Sequence, residues 1–191
     1  KKLNNNPTSI LDIATGTADF AVSAAKYTKA SITGIDISQG MLDVGAVKIT
    51  KKGLNDRIKL QLADSENLPF DDASYDAITA GFGVRNFENL NKGLCEMNRT
   101  LKTNGIVAIL EPSKPSHFPL KQFYNLYFHH ILPFIGGIIS KDKNAYSYLP
   151  DSVEAFPSGK DFLLELEKAG FKDCKHIPLT FGIVSLYTAI K

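Results

Sequence analysis

The stretch Ser9-Ile10-Leu11-Asp12-Ile13-Ala14-Thr15-Gly16-Thr17-Ala18-Asp19 decides how the rest of the chain is read. Ser9 to Ile13 is an apolar, β-rich run, short enough for a buried strand. Small residues follow as a loop. From Asp19 to Lys29, Phe20, Ala21, Ala24, Ala25 and Tyr27 recur at helical spacing. Working outward, Ser31 to Asp36 reads as a second strand. Ser38 is placed to cap a helix carrying Met41, Leu42, Ala46 and Ile49, with Gly53 where that helix stops. Ile58–Leu62 and Tyr75–Gly81 read as strands three and four. Asn89 precedes an amphipathic helix over Leu90–Leu101, with Leu94, Met97 and Leu101 on one side. Lys102–Gly105 reads as a turn, and Ile106–Leu110 as a fifth strand. Such alternation predicts a parallel, doubly wound sheet. Further on, a helix over Lys160–Ala169 is closed by Gly170. Asp173–Thr180 and Ile183–Ile190 are spaced to pair as an antiparallel hairpin about Phe181-Gly182.

The 191 residues suit one domain, and 43% hydrophobic with 22% charged residues is ordinary globular composition. Lys+Arg 22 against Asp+Glu 20 leaves +2, too balanced for a nucleic-acid surface, so no nucleic-acid partner is expected. Cys95 and Cys174 can make neither a disulfide scaffold nor a zinc site, and no metal is expected. Reduced thiols fit a cytoplasmic protein. Lys1 to Pro7 is polar and not a secretory signal; without an initiator methionine, the protein is expected to begin further upstream. Phe118–Ile139 is aromatic and apolar, but Lys121, Gln122, Asn125 and Pro133 interrupt it, and Ile131–Ile139 is far short of the ~20 residues a membrane span needs.

The loop after the first strand narrows the ligand. A dinucleotide loop wants G-x-G-x-x-G with pyrophosphate at the helix N-terminus. Here there is one glycine, Gly16, between acids at Asp12 and Asp19. Carboxylates repel pyrophosphate and suit a cationic ligand with an amino acid head, such as S-adenosylmethionine. An ordinary strand-to-helix turn has the same composition. Asp36 ends the second strand, where a carboxylate accepts from ribose hydroxyls. Asp64, beside Ser65, follows the third strand, where an acid can accept from an adenine amino group, and Leu68-Pro69-Phe70 offers an apolar wall. The three acids at the carboxyl edge signal a site together; each alone is weak.

These residues resemble those of class I S-adenosylmethionine-dependent methyltransferases. Other stretches resemble the ubiquinone/menaquinone biosynthesis C-methyltransferases: Gly81-Phe82-Gly83-Val84-Arg85-Asn86-Phe87, Glu96-Met97 with Arg99, and Leu110-Glu111-Pro112-Ser113-Lys114-Pro115. So do Leu132-Pro133, Tyr146–Leu149, Phe156-Pro157, Ala169–Phe171 and Phe181–Val184. The resemblance runs from about Ile10 to Lys191. It implies an α/β, Rossmann-like, seven-stranded sheet, mostly parallel with the C-terminal antiparallel hairpin. It implies a single domain over residues 1–191, with 113–157 as a helical insertion on the substrate side. The implied cofactor residues are Asp12, Thr15, Gly16 and Thr17 at the methionine part, Asp36 with Met41 at the ribose, Asp64 and Ser65 at the adenine, and Gly81. The family also begins with a segment that lies over the cofactor, which nothing upstream of Lys1 supplies. Ala18 stands where many members have Gly, and Thr103-Asn104-Gly105 where Pro-Gly-Gly is usual.

The activity so implied is methyl transfer to a ring carbon of a prenylated quinol. That chemistry needs a phenolate to push charge onto the ring carbon, and groups that orient the ring. Arg85 is the expected phenolate stabiliser and Asn86 the residue orienting a hydroxyl or water; a structural pairing of Arg85 with a neighbouring acid is the competing reading. Tyr124, Tyr127 and Tyr148 are candidates for the quinol pocket, and the tyrosines equally suit packing. His129 and His130 read as one partly buried and one exposed residue rather than as bases. A greasy tail suggests peripheral contact with the inner membrane face, and the hairpin's edge suggests a homodimer. Demethylmenaquinol is the favoured acceptor. Another lipophilic acceptor, or a non-catalytic S-adenosylmethionine-binding assembly subunit, are the alternatives; a nicotinamide dehydrogenase lacks its glycines.

Overall fold

The computed structural model of the protein describes residues 6–115, 122 and 152–191. Strands β1 (Ser9–Ile13), β2 (Ser31–Asp36), β3 (Ile58–Leu62), β4 (Tyr75–Gly81), β5 (Leu101–Pro112), β6 (Lys172–Leu179) and β7 (Val184–Ile190) form one seven-stranded sheet in the order β3-β2-β1-β4-β5-β7-β6. The first five are parallel to one another, and β7 runs antiparallel between β5 and β6. The order reverses between β1 and β4. In an open α/β sheet, the crevice outside the carboxyl ends at such a switch point is the ligand site. The doubly wound sheet with its closing hairpin is thus the fold expected from the sequence.

Both faces of the sheet are covered, so its strands read as apolar runs. Leu11, Ile13, Ile78, Val107, Ile109 and Tyr187 pack on one face with Leu94, Met97, Phe162 and Leu166. Ile10, Ile32, Ile58 and Ala77 pack on the other with Ala21, Val22 and Ile49. The first group draws on α3 (Leu90–Thr100) and α4 (Lys160–Lys168); the second draws on α1 (Asp19–Ala24) and α2 (Gln39–Lys51). Asn89 caps α3 by accepting from the Lys92 N–H at 3.0 Å. Gly170, at φ +92°, closes α4 in a conformation open to glycine.

Three local expectations need correction, and the buried face of α2 is fixed. The first helix ends at Ala24 rather than running to Lys29; its last residues tighten into i→i+3 bonds, and Tyr27 is exposed. Met41 and Ala46 are exposed on α2, because its buried face runs through Leu42, Gly45 and Ile49. The turn at Lys102–Gly105 does not precede β5 but lies inside it. Tyr75 pairs with Leu101 and Ala77 with Ile106, so two steps of β4 face five of β5 and the surplus bulges out, with Asn104 left-handed at φ 62°. The hairpin connection is Thr180–Ile183, with a short 3₁₀ turn, rather than a two-residue turn.

Candidate functional site

The loop between β1 and α1 alternates left-handed residues: Ala14 (φ 52°), Gly16 (φ 55°) and Ala18 (φ 62°). For the two alanines this conformation costs about 1 kcal/mol or more each, so neighbours must hold it. Thr15 N–H donates to the Ile35 carbonyl and Ala18 N–H to the Thr15 carbonyl, both at 2.8 Å. Gly16 N–H donates to Asp36 Oδ2 at 2.8 Å. Asp36 Oδ1 accepts from Ser38 N–H at 2.9 Å. Helix α2 comes close because residue 45 is glycine: a Cβ there would lie 3.2 Å from both Ala18 Cβ and the Thr17 carbonyl carbon. A Cβ on Gly34 would meet Thr15 Oγ1 at 2.9 Å.

Asp12 lies beneath this loop, fully buried on β1. Thr15 Oγ1 donates to its Oδ2 at 2.6 Å and Thr79 Oγ1 to its Oδ1 at 2.5 Å. Both side-chain partners are neutral hydroxyls. Burial therefore dominates and pushes its pKa up to about 6, although the hydroxyl bonds pull the other way. Asp12 is enclosed behind the loop rather than presented on it. Thr17 is engaged with α2: its hydroxyl donates to Asp19 and accepts from Lys48 Nζ at 3.1 Å. Lys48 and Asp19 pair at 2.7 Å, which holds the Asp19 carboxyl below its usual range.

A cavity of about 450 Å³ opens at the carboxyl ends of β1, β2 and β3. Ala14 and Gly83 form its floor from two touching loops: a Cβ on Gly83 would lie 2.3 Å from Ala14 Cβ. Asp36, Asp64, Glu66 and Glu88 face it, with Ser65 and Asn86; none of the described lining residues is Lys or Arg. Two of the three strand-end acids, Asp36 and Asp64, are therefore gathered with Ser65 and Asn86, whereas Asp12 is buried away from the cavity. Six expected cofactor residues are not on the lining: Asp12, Thr15, Gly16, Thr17, Met41 and Gly81. Gly81 instead makes room for the Phe20 ring, which a Cβ there would meet at 2.6 Å. Met41 lies over Gly16, its Cε 3.3 Å from where a Cβ would be. Thr17 turns to α2.

Arg85 sits on the 3₁₀ turn Val84–Asn86 after β4. Its Nη1 donates to the Phe82 carbonyl and pairs with Glu111 Oε2 at 3.0 Å; its buried Nε has no hydrogen-bond partner. Glu111, on β5, is fully buried. It also accepts from Val84 N–H at 2.7 Å. Burial raises its pKa against the opposing pull of Arg85. The structural pairing weighed against a catalytic Arg85 is thus present. Arg99 performs a similar service beside the cavity. It holds Glu96 through two bonds at 2.8 Å, the carbonyls of Leu68 and Phe70, and Asp72. This fastens the segment after β3 to α3.

Sequence reasoning missed Glu66, Glu88, Gly83 and the part played by Glu111. Glu66 accepts from Asn89 N–H at 2.7 Å and so joins the β3 and β4 loops. Thr79, polar within the otherwise apolar stretch Ala77–Gly81 of β4, was a readable sign of a buried polar partner. Tyr124, Tyr127 and Tyr148, with His129, His130 and most of 113–157, lie outside the described residues. Among the described residues no cluster of His, Cys, Asp or Glu could hold a metal ion, and no helix is long and apolar enough to cross a membrane.

Comparison with known proteins places this geometry. The sequence model of the ubiE/COQ5 methyltransferase family matches residues 1–191. A demethylmenaquinone methyltransferase of Bacteroides fragilis is 46% identical over 186 residues, 97% of this chain and 76% of the relative. The ubiquinone/menaquinone biosynthesis C-methyltransferase UbiE of Citrifermentans bemidjiense is 45% identical over 194 residues, covering 100% of this chain and 82% of the relative. Among solved structures, a SAM dependent methyltransferase from Aquifex aeolicus aligns with TM-score 0.70 at 18% identity, over 96% of this chain and 81% of that one. The [4+2]-cyclase SpnF aligns with TM-score 0.72 at 18% identity, over 98% of this chain and 76% of that one. At such identities these two establish the fold alone.

Proposed function

The chain belongs to the ubiE/COQ5 methyltransferase family, and from that premise we propose that it methylates a ring carbon of a prenylated quinol, converting demethylmenaquinol to menaquinol. It is an S-adenosylmethionine-dependent enzyme with a class I fold. The observation that carries the reading is the acidic cavity at the switch point: four carboxylates and no lining cation among the described residues. That set disfavours a dinucleotide's pyrophosphate. It suits a ligand with an ammonium, a sulfonium, a ribose diol and an adenine amine. When bound, S-adenosylmethionine supplies an electrophilic methyl group on a positively charged sulfur.

The residues have the following proposed parts. Asp36 accepts from the ribose hydroxyls with lone pairs left over from Gly16 and Ser38. Asp64 and Ser65 bind the adenine side. The Thr15-Gly16 backbone receives the methionine part, with Met41 covering Gly16. Asp12 and Thr17 act from behind, by holding the loop. On the acceptor side Asn86, on the cavity wall, orients a ring hydroxyl. Arg85, fixed by Glu111, offers its unpartnered Nε–H to a phenolate oxygen. Tyr124, Tyr127 and Tyr148 complete the proposed quinol pocket. A prenyl tail calls for an apolar path, and weak binding to liposomes at low salt is expected of this cytoplasmic enzyme; absence of vesicle binding at every lipid composition refutes it. Strand β6 is a sheet edge, but Lys172, Lys175 and Pro178 on it discourage pairing, so a dimer through this edge is not part of the proposal.

The test is methyl transfer from labelled S-adenosylmethionine to chemically reduced demethylmenaquinone, with product mass and methylated position read out. Ring methylation is the expected result. Tight S-adenosylhomocysteine binding without transfer to this acceptor overturns the substrate assignment. A thermal shift with NADH and none with S-adenosylhomocysteine overturns the cofactor site.

A further inference from the structure

Behind the acceptor side, three side chains form a hydrogen-bonded row across the C-terminal strands. Ser113 directly follows β5, and its Oγ donates to the Gly182 carbonyl at 2.8 Å. Ser185 Oγ on β7 lies 2.8 Å from Ser113 Oγ. His176 Nε2 on β6 lies 2.8 Å from Ser185 Oγ. Ser113 and Ser185 are buried, whereas His176 is partly open to solvent at the sheet edge. Its ring stacks on Tyr187, with centroids 5.0 Å apart and planes 17° apart. The row therefore runs outward from the end of β5. Its inner end is two residues from Glu111, which holds Arg85, and Glu111 is the register partner of Ser185.

Two buried hydroxyls need a reason, because apolar side chains would fill that space without polar desolvation. The reaction offers one. Exchanging a ring hydrogen for a methyl group from a sulfonium leaves one proton over in each turnover, in a site that works best with water excluded. The two fully buried carboxylates among the described residues of the sheet are occupied. Glu111 accepts from Val84 and Arg85, and Asp12 is enclosed by Thr15 and Thr79.

We propose that Ser113, Ser185 and His176 are a proton exit path, carrying the proton released by ring methylation from the acceptor side to solvent at the β6 edge. The inference rests on the methyl-transfer reading. With Ser113 turned to Gly182, the row is closed: Ser185 donates to Ser113 and accepts from His176. Rotation about the two Cβ–Oγ bonds turns the hydroxyls toward His176, with the imidazole proton on Nδ1. The acceptor's phenolic O–H bond then breaks, and its electron pair stays on oxygen; once the ring carbon has taken the methyl group, its C–H bond breaks, those electrons restore the aromatic ring, and that proton returns to the phenolate oxygen, so one proton is left over. The phenolic proton joins Ser113 Oγ as Ser113's own passes to Ser185 and Ser185's to Nε2. The imidazolium loses its Nδ1 proton to water. Burial lowers the His176 pKa below its ordinary value, so the ring is neutral at neutral pH and releases an acquired proton readily. Titratable groups on the elements packed around it are Tyr187 on β7, Glu111 on β5, and Lys160 and Asp161 at the start of α4.

Ser185→Ala, Ser113→Ala and His176→Phe, which keeps a ring against Tyr187, test the path. Each is expected to lower kcat for ring methylation about tenfold or more. The quinol KM and S-adenosylhomocysteine affinity should stay within about twofold, and His176→Phe should also remove the acid limb of the kcat–pH profile. Ser185→Thr, which restores a hydroxyl, should recover most of the rate. Variants with wild-type kcat and pH profile overturn the path and leave the function standing. A fall in kcat that tracks loss of Tm with an unchanged pH profile makes the row a structural staple and also overturns it. Wild-type protein that binds S-adenosylhomocysteine but methylates no quinol ring overturns the function and the path together.

Discussion

The two halves of the sheet build their polar groups differently. On the β1–β3 side, Asp36 and Asp64 sit at or just beyond strand ends, exposed to the cavity, and are tied to backbone a few residues away or on the adjoining loop. On the β5–β7 side, Glu111, Ser113 and Ser185 are buried, and their partners come from distant sequence, Ser185 meeting Ser113 across 72 residues. The first arrangement leaves lone pairs free for a ligand. The second consumes them inside the protein. In the proposed site the open acids are the binding groups, and the enclosed ones hold the loops.

Breaking an enclosed acid should therefore cost more stability than breaking an open one. Glu111→Ala strands the Arg85 guanidinium and the Val84 N–H in the interior, and removing one partner of a buried pair typically costs about 3–5 kcal/mol. Asp64→Asn should cost under about 1 kcal/mol, because Asp64 is exposed. Urea midpoints of the two variants check this; equal losses would erase the distinction. By the same logic Arg85→Ala cannot isolate a catalytic role, since it leaves Glu111 buried and unpaired.

Asp12 tests the enclosed class through pH. Its folded pKa of about 6 lies above the ordinary carboxyl value of 3.8, so the folded protein binds the proton more tightly than the unfolded chain. The resulting stability is fully present below the unfolded pKa and is lost as pH rises through about 6. At about 1.4 kcal/mol per unit, the difference amounts to about 3 kcal/mol. Between about pH 7.5 and pH 5 the wild type should gain about 1.4 kcal/mol relative to Asp12→Asn. Asp76 and Glu96 have lowered pKa values and act in the opposite sense, losing stability as pH falls, so the variant comparison is needed to isolate Asp12. A bound cation would favour the ionised carboxylate, so S-adenosylhomocysteine affinity, through its ammonium, should rise as pH rises from about 5 to about 7.5, with proton release on binding at the acid end. Superimposable stability–pH curves for the two proteins would refute the assignment.

Gly83→Ala sharpens the comparison at the cavity floor. Its Cβ would meet Ala14 Cβ at 2.3 Å, so one of the two loops must shift. Overpacking of this kind costs about 1–3 kcal/mol. The loss should appear in S-adenosylhomocysteine affinity by calorimetry as well as in Tm, because the clash lies in the cavity. Unchanged affinity would mean the floor is not part of the cofactor site.

What could be read in the sequence follows the same division. Asp36 and Asp64 were legible because strand–helix alternation places a residue at a strand end without reference to anything distant. The enclosure of Asp12 was not, because Thr79 reaches it from another strand 67 residues away. Arg85 and Glu111 stood in separate motifs, and only the β4–β5 pairing brings them together. The buried face of α2 was not legible, because Met41, Leu42, Ala46 and Ile49 permit two helical faces; the packing of Gly45 against Ala18 selects between them. The Lys102–Gly105 turn signal was real, but the pairing of Tyr75 with Leu101 carries the strand across it.

The smallest effect is expected where a charge pair is open to water. Lys48 joins Asp19 and Thr17 on the outer side of the cofactor loop, and Asp19 is largely exposed. Solvent screening limits such a pair to under about 0.5 kcal/mol. Lys48→Met should therefore shift Tm very little, and its effect should vanish in about 1 M salt. The loop's left-handed residues are held by Asp36 and the Ile35 carbonyl from inside, so S-adenosylhomocysteine affinity should also change by less than about twofold. A larger loss of affinity, persisting in high salt, would show that the loop depends on its outer ion pair, and the open and enclosed groups would then share the task of holding it.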